Sequence, residues 1–209
     1  EVAWNAQYMQ RPRPADGVIF QFWNHRYETA PIFQQILVGF DVAMTAKDRS
    51  DFTAWSGWGI RDGRAYFLDA GRKKTEGGEA ERHIGVFADK LKRAYGKQVL
   101  IIHARKVKED KVIGQYLRKS LPFPVIETPM VDLLTTAGLI APYMEGGSVV
   151  WPEIISPDWF LEEMKSYDMG RHDDGVASAM AALHYYFLRG KGREPRRRSP
   201  IFLWDRDVA

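Results

Sequence analysis

The chain has 209 residues, 45% of them hydrophobic and 13% aromatic, which suits one packed α/β domain with a modest extension and leaves two full domains cramped. A formal net charge of +3 and a pI near 9.0 are compatible with a polyanionic partner, and equally with an ordinary protein slightly on the basic side. There is no cysteine, so disulfides, thiolate metal sites and cysteine nucleophiles are excluded, and any metal must be held by carboxylate, imidazole, carbonyl or water, which favours Mg²⁺ or Mn²⁺ over structural zinc.

No stretch approaches the ~20 apolar residues that span a bilayer, so no membrane association is expected. The first residues, Glu1-Val-Ala-Trp4, carry neither an initiator Met nor a signal pattern and read as mid-helix, so the chain is expected to be a piece of a longer protein.

In chain order, a short helical piece around Trp4–Met9 is stopped by Arg11-Pro-Arg-Pro14, and Ile19-Phe-Gln-Phe22 reads as a short strand. Ile36-Leu-Val-Gly-Phe40 is a continuous apolar run that predicts a strand buried on both faces and ending at Asp41. After a polar turn over Thr45–Ser50, Phe52–Ile60 and Ala65–Asp69 flank Arg61-Asp-Gly-Arg64, a hairpin signal. Glu79–Tyr95 has apolar residues at Ile84, Phe87, Ala88, Leu91 and Tyr95, the rhythm of an amphipathic helix, closed by Gly96.

Val99–Ile102 predicts a strand, Lys111–Lys119 a helix, and Phe123–Ile126 a last short strand. Pro129–Tyr143 reads as partly helical and Val149–Trp151 as a small edge strand. Pro157–Ser166 and Asp173–Leu188 read as helices, the second with Val176, Met180, Leu183 and Phe187 on one face. An antiparallel meander followed by strand–helix alternation predicts a mixed β-sheet flanked by helices. From Arg189 the chain turns basic and Pro-rich through Arg196-Arg-Arg198, and residues 191–209 read as a basic tail. No internal repeat or low-complexity tract is present.

Two places concentrate chemistry. Asp41 follows five apolar residues, so its carboxylate ends a buried strand, where it either caps the next turn or is held for a purpose. Asp48 and Asp51 read as solvated turn residues. Arg171-His-Asp-Asp-Gly-Val176 opens the last helix; one aspartate suffices for an N-cap, and two adjacent carboxylates raise each other's pKa in a way that a divalent cation relieves. Capping and cation binding both fit at this point. Arg105, Lys106, Lys108 and Lys111 form a basic cluster that suits phosphate contact or a solvated loop.

Taken together, Gly39-Phe-Asp-Val-Ala43, Ser50-Asp-Phe-Thr-Ala54, Trp58-Gly59, Tyr66–Asp69 and His172-Asp-Asp174 ahead of Val176 resemble, in this order, the nuclease domain of tailed-bacteriophage large terminases. Trp4-Asn-Ala-Gln-Tyr-Met-Gln-Arg-Pro12 with Gly17-Val-Ile-Phe20 resembles the segment that joins the packaging ATPase to that nuclease. Ala141-Pro-Tyr-Met-Glu-Gly-Gly-Ser-Val-Val-Trp-Pro152 resembles the region before its final helices. The resemblance spans roughly residues 1–190. It implies a linker over 1–33, an RNase H-like domain over 34–190 and the tail beyond.

The implied activity is metal-dependent endonucleolytic cleavage of concatemeric viral double-stranded DNA during genome packaging. Asp41, Asp173 and Asp174 would hold one or two Mg²⁺ or Mn²⁺ ions, with Asp174 favoured as the more direct ligand, and Arg105, Lys106, Lys108 and Lys111 would meet DNA. Partners implied are DNA, the portal protein and the small terminase subunit, at the procapsid in the host cytoplasm, with the isolated domain monomeric.

The chain departs from the family's pattern at Val99-Leu-Ile-Ile-His103, where an acidic residue usually ends the strand and His103 stands instead. Imidazole binds Mn²⁺ but suits Mg²⁺ poorly, so His103 reads as an altered ligand or as a satisfied strand-end histidine, and Glu109 or Asp110 offers a substitute carboxylate. Ala177 and Leu133 stand where many relatives carry Asp and Lys. The alternative function is therefore a DNA-binding or assembly module of the packaging motor with a weakened or inactive site. A sugar-kinase-type phosphotransferase lacks its Gly-rich phosphate loop here, and no Gly-x-x-x-x-Gly-Lys-Ser/Thr loop occurs for ATP.

Overall fold

The run Ile36–Phe40 is a fully buried strand interior, because apolar side chains on alternate faces can be satisfied only by packing on both sides of the sheet. A computed structural model describes residues 19–20, 25–42, 52–74, 79–105, 110–129, 132–167 and 173–189, without the side chains of 104–105 and 110–114. Its strands are β1 (Arg26–Tyr27), β2 (Gln35–Asp41), β3 (Thr53–Arg61), β4 (Arg64–Lys73), β5 (Val99–Arg105), β6 (Val125–Pro129) and β7 (Val149–Pro152). They form one seven-stranded sheet in the order β1-β7-β4-β3-β2-β5-β6. β2, β3 and β4 are an antiparallel meander, and β5, β6 and β7 join it in parallel. The expected mixed sheet flanked by helices is what forms.

The Asp62-Gly63 turn between β3 and β4 has φ of 49° and 78°, positive at both residues, as a two-residue hairpin of type I′ demands. The helices are α1 (Ala80–Tyr95), α2 (Asp110–Ser120), α3 (Leu133–Glu145), α4 (Asp158–Ser166) and α5 (Asp174–His184), which continues as a π-helical turn over Tyr185–Arg189. On one face, Ile36, Val38, Phe40, Trp55, Val99 and Ile101 pack with Ile84, Phe87 and Leu91 of α1 and Leu117 of α2. On the other, Leu37, Trp58, Phe67 and Ile102 pack with Ile140 of α3, Phe160 of α4 and Met180 of α5. Among the described residues no helix is long and apolar enough to cross a membrane.

Several local expectations change. Val149–Trp151 is not an edge: β7 lies between β1 and β4, and Trp151 is fully buried. The edge is β1, whose residues fall in the segment expected as the linker over 1–33. Ile19, Phe20 and Phe33 from that same segment are buried in the domain's core. Ile19 and Phe20 lie outside any strand and pack in the core, Phe20 stacking on Tyr167, while Gln21 and Phe22 lie outside the described residues. The last helix changes its hydrogen bonding at Tyr185, short of the α-helical end expected at Leu188. Residues 1–18, with the Trp4–Met9 helix, and the tail over 191–209 lie outside the described residues.

Candidate metal and active site

The site is built where β2 ends beneath the start of α5. Every residue of α5 from Asp174 to Leu183 is buried, and seven of these ten are Gly, Ala or Ser or the acid itself, so the helix axis comes close to the sheet. The contact point is Gly39: a Cβ there would stand 2.1 Å from the Ser178 carbonyl oxygen and 2.9 Å from the Ala182 nitrogen. That approach brings the first turn of α5 to the end of β2. Side chains alternate along β2, and Leu37 and Gly39 face α5, so Asp41 faces it too.

Asp174 is 7% exposed, and its Oδ2 accepts a hydrogen bond from the Phe52 amide at 3.3 Å. Burial, followed by the charges of Asp41, Glu163 and Asp173, pushes its carboxyl from the ordinary 3.8 up to about 7; only the Phe52 amide acts in the opposite sense. Asp173 is exposed at the helix start and makes no capping hydrogen bond. Glu163 of α4 does that work instead: its Oε2 accepts from the Gly175 amide at 2.8 Å, and its Oε1 takes Arg72 Nη1 at 2.5 Å. The Arg72 guanidinium lies 4.7 Å from the Phe52 ring centroid and 4.3 Å from that of Trp159. Arg72 pairs with Ala54, and Ala54 with Asp41, so the three form one row across the sheet.

His103 is not part of this group. It pairs with Phe40 rather than with Asp41, is 3% exposed, and stacks on the Phe40 ring at 4.8 Å between centroids. Val99 and Ile101, at the same alternation, lie in the α1–α2 core, so His103 points to the sheet face opposite Asp41 and Asp174. Its strand neighbour on that face is Glu127, which is paired with Arg118 of α2 at 3.2 Å. Period-two alternation decides this: one residue of offset turns a side chain to the other face.

Of the other expected residues, Arg105 ends β5 at the same sheet edge as Asp41, and Lys111 lies in the first turn of α2. Lys106, Lys108, Glu109, Asp48, Asp51 and His172 lie outside the described residues, and Asp110 opens α2. Ala177 is fully buried in α5, and Leu133 is a partly buried apolar residue at the start of α3. Arg72, Glu163 and Trp159 carry no signal in the sequence, and Phe52 is marked only as part of Ser50-Asp-Phe-Thr-Ala54. Trp159 and Glu163 share α4, and these two meet Arg72 of β4 and Phe52 only through the fold.

Among the described residues, no group of three or more His, Asp or Glu side chains is gathered closely enough to hold an ion by itself. Asp41 and Asp174 supply hard oxygen donors, and the raised Asp174 carboxyl marks a place where a positive charge is favoured. Two carboxylates, with water and phosphate oxygens completing the shell, is the donor set that Mg²⁺ takes in phosphoryl chemistry.

The sequence matches no protein-family model and no curated protein. The structure is similar to solved terminase structures. The large terminase nuclease from thermophilic phage G20c with bound magnesium aligns at 16% identity and a TM-score of 0.56, covering 83% of this chain and 100% of that one. The same nuclease is known with bound zinc and with bound cobalt. The large terminase of another thermophilic bacteriophage aligns at 15% identity and TM-score 0.58, covering 79% of this chain and 43% of that one, so the likeness takes in under half of that protein. The human cytomegalovirus terminase nuclease domain, manganese-soaked and inhibitor-bound, aligns at 11% identity and TM-score 0.57 over 84% of this chain and 98% of that one. The fold of this chain is thus that of terminase large-subunit nuclease domains, RNase H-like in its mixed sheet and flanking helices.

Proposed function

We propose that this chain is a divalent-metal-dependent DNA endonuclease, cutting concatemeric viral double-stranded DNA during genome packaging. The observation that carries it is Asp174: a carboxyl buried at a helix start, pushed up to about 7, faces Asp41 at a strand end. A fold built only for stability gains nothing from collecting carboxylates there. The fold that it shares with nucleases solved with bound magnesium supports the same assignment.

Asp41 and Asp174 would hold one or two Mg²⁺ or Mn²⁺ ions, with Asp173 at the exposed rim. When bound, such a metal supplies an activated water and neutralises charge on the phosphodiester. The chain's own part is to keep two carboxylates in a partly dehydrated place where their repulsion is relieved by a cation. Phe52 orients Asp174 through its amide, and Glu163 satisfies the helix start so that Asp173 is not needed as a cap. Arg105, Lys106, Lys108 and Lys111 would steer the DNA backbone to this edge. The portal protein and small terminase subunit are the proposed packaging partners, at the procapsid in the host cytoplasm.

Supercoiled plasmid incubated with the protein and Mn²⁺, Mg²⁺ or EDTA tests this: nicking with either metal and none with EDTA is expected. The orientation of His103, away from Asp41, favours one second assignment, a DNA-binding or assembly module of the motor with a weakened site. DNA binding without nicking in any metal would select it and end the nuclease assignment.

A further inference from the structure

The N-terminus of α5 is capped from outside. A helix leaves its first amides without intrahelical partners, and a side chain at the N-cap ordinarily takes one of them. Asp173 stands at that position and makes no such bond. The Gly175 amide instead donates to Glu163 Oε2 at 2.8 Å, twelve residues back on α4. The site of that bond is tight: a Cβ on Gly175 would stand 2.6 Å from Glu163 Oε2 and 2.8 Å from the Trp159 ring, so only glycine lets α4 approach so closely.

Glu163 is in turn held by Arg72. The guanidinium takes Oε1 at 2.5 Å while Oε2 serves Gly175, so one carboxylate bridges β4 and α5. Arg72 itself is clasped between Phe52 and Trp159 at 4.7 and 4.3 Å, a slot whose two faces suit a planar guanidinium, and the Lys74 ammonium also lies over the Phe52 ring at 5.0 Å. Phe52 closes the ring of contacts, since its amide donates to Asp174 Oδ2 at 3.3 Å. The chain Arg72–Glu163–Gly175 and the chain Arg72–Phe52–Asp174 therefore meet at the same helix turn.

We propose that Arg72 and Glu163 are a positioning pair: Glu163 replaces Asp173 as the helix cap, Arg72 fixes Glu163, and together they aim the Asp174 carboxylate at Asp41 and leave Asp173 available at the rim. This rests on the assignment of Asp41 and Asp174 as the cation site, and extends it to residues that touch neither DNA nor metal. Electrostatics and positioning make opposite forecasts for Arg72. Removing a positive charge beside a cation site strengthens cation binding by Coulomb's law alone. Removing a positioning group weakens it, by about 10–100-fold where supporting hydrogen bonds of metal ligands are lost.

The test uses the whole chain without DNA. Mn²⁺ affinity is followed by the electron paramagnetic resonance of free Mn²⁺, and exchange of the Gly175 amide by NMR, in wild type, Arg72→Ala, Arg72→Lys, Glu163→Ala and Glu163→Gln. Expected are a Mn²⁺ affinity about 10-fold or more weaker in Arg72→Ala and Glu163→Ala, and faster Gly175 exchange in Glu163→Ala with near-normal exchange in Glu163→Gln, which keeps an acceptor. The double variant Arg72→Ala with Glu163→Ala should be no worse than the poorer single one, because the two act as one unit. Tighter Mn²⁺ binding in Arg72→Ala, or unchanged Gly175 exchange in a folded Glu163→Ala, overturns the pair. If Glu163→Ala does not fold, the Mn²⁺ affinity of Arg72→Ala decides alone, weaker for the pair and tighter against it. A wild type that binds no Mn²⁺ yet shows the exchange pattern would defeat the metal-site assignment and leave the cap standing. Normal Mn²⁺ binding without the exchange pattern would do the reverse.

Discussion

Gly39 and Ser178 are pressed together so closely that a methyl group on Gly39 would lie 2.1 Å from the Ser178 carbonyl oxygen. No side-chain rotation relieves that contact, because the obstacle is helix backbone. Gly39→Ala must push α5 off β2, and overpacking of this kind costs about 1–3 kcal/mol. At about 2–4 °C per kcal/mol for a chain of this size, the melting temperature should fall by roughly 5 °C. The same shift carries Asp174 away from Asp41, so Mn²⁺ binding should weaken along with stability. A variant that melts and binds like the wild type would show that α5 is not seated by this contact.

Asp41→Asn and Asp174→Asn keep shape and remove one charge each. Plasmid nicking should fall by more than the about 10–100-fold that loss of a supporting hydrogen bond costs a metal site. Circular dichroism should show both variants folded. Retained nicking in either would place the reaction elsewhere on the chain.

The pH dependence follows from Asp174. Its carboxyl stands at about 7 in the folded protein against 3.8 in an unfolded chain. Between those values the folded form keeps a proton that the unfolded form releases, so stability contributed here is fully present below about pH 4 and is lost as pH rises through 7. The metal-free protein should therefore melt progressively lower from about pH 5 to about pH 7.5. Asp174→Asn should flatten that slope and melt higher than the wild type at the upper end of this range. Added Mn²⁺ should raise the wild-type melting temperature more at the upper end than at the lower, since the ion competes with the proton. Parallel slopes for wild type and Asp174→Asn would remove Asp174 as the group responsible.

His103 stacks on Phe40 in the apolar core on the far side of the sheet. His103→Asp should therefore give no gain in Mg²⁺-supported nicking and should destabilise the fold by about 3 kcal/mol, the effect of a charge placed in a core. His103→Phe should keep the stack and leave Mn²⁺ affinity unchanged. Mn²⁺ binding that fails in His103→Phe while the melting temperature holds would restore His103 as a ligand.

Much of this is legible in the residues themselves. Asp41 after Ile36–Phe40, the Asp62-Gly63 hairpin and the rhythm of α1 are local patterns, and each produces the element it predicts, since strand burial, turn dihedrals and helical amphipathicity act over a few residues. The aspartates at 173 and 174 are legible as a pair, but which of them caps the helix is not. His103 reads either as an altered ligand or as a strand-end histidine, because counting along β5 does not give the face that its residues take, and that depends on the register with β2.

The sequence by itself determined the order of elements, the strand that delivers Asp41 and the helix that begins with Asp173 and Asp174. Only the tertiary structure decided that Asp41 and Asp174 share a face, that His103 is turned from them, and that Arg72 and Glu163 stand behind the helix start. Local patterns arise from the intrinsic preferences of neighbouring residues. Strand register, the glycine contact that lowers α5 onto β2 and the bridge from β4 to α4 join residues many positions apart, and these become neighbours only when the core closes.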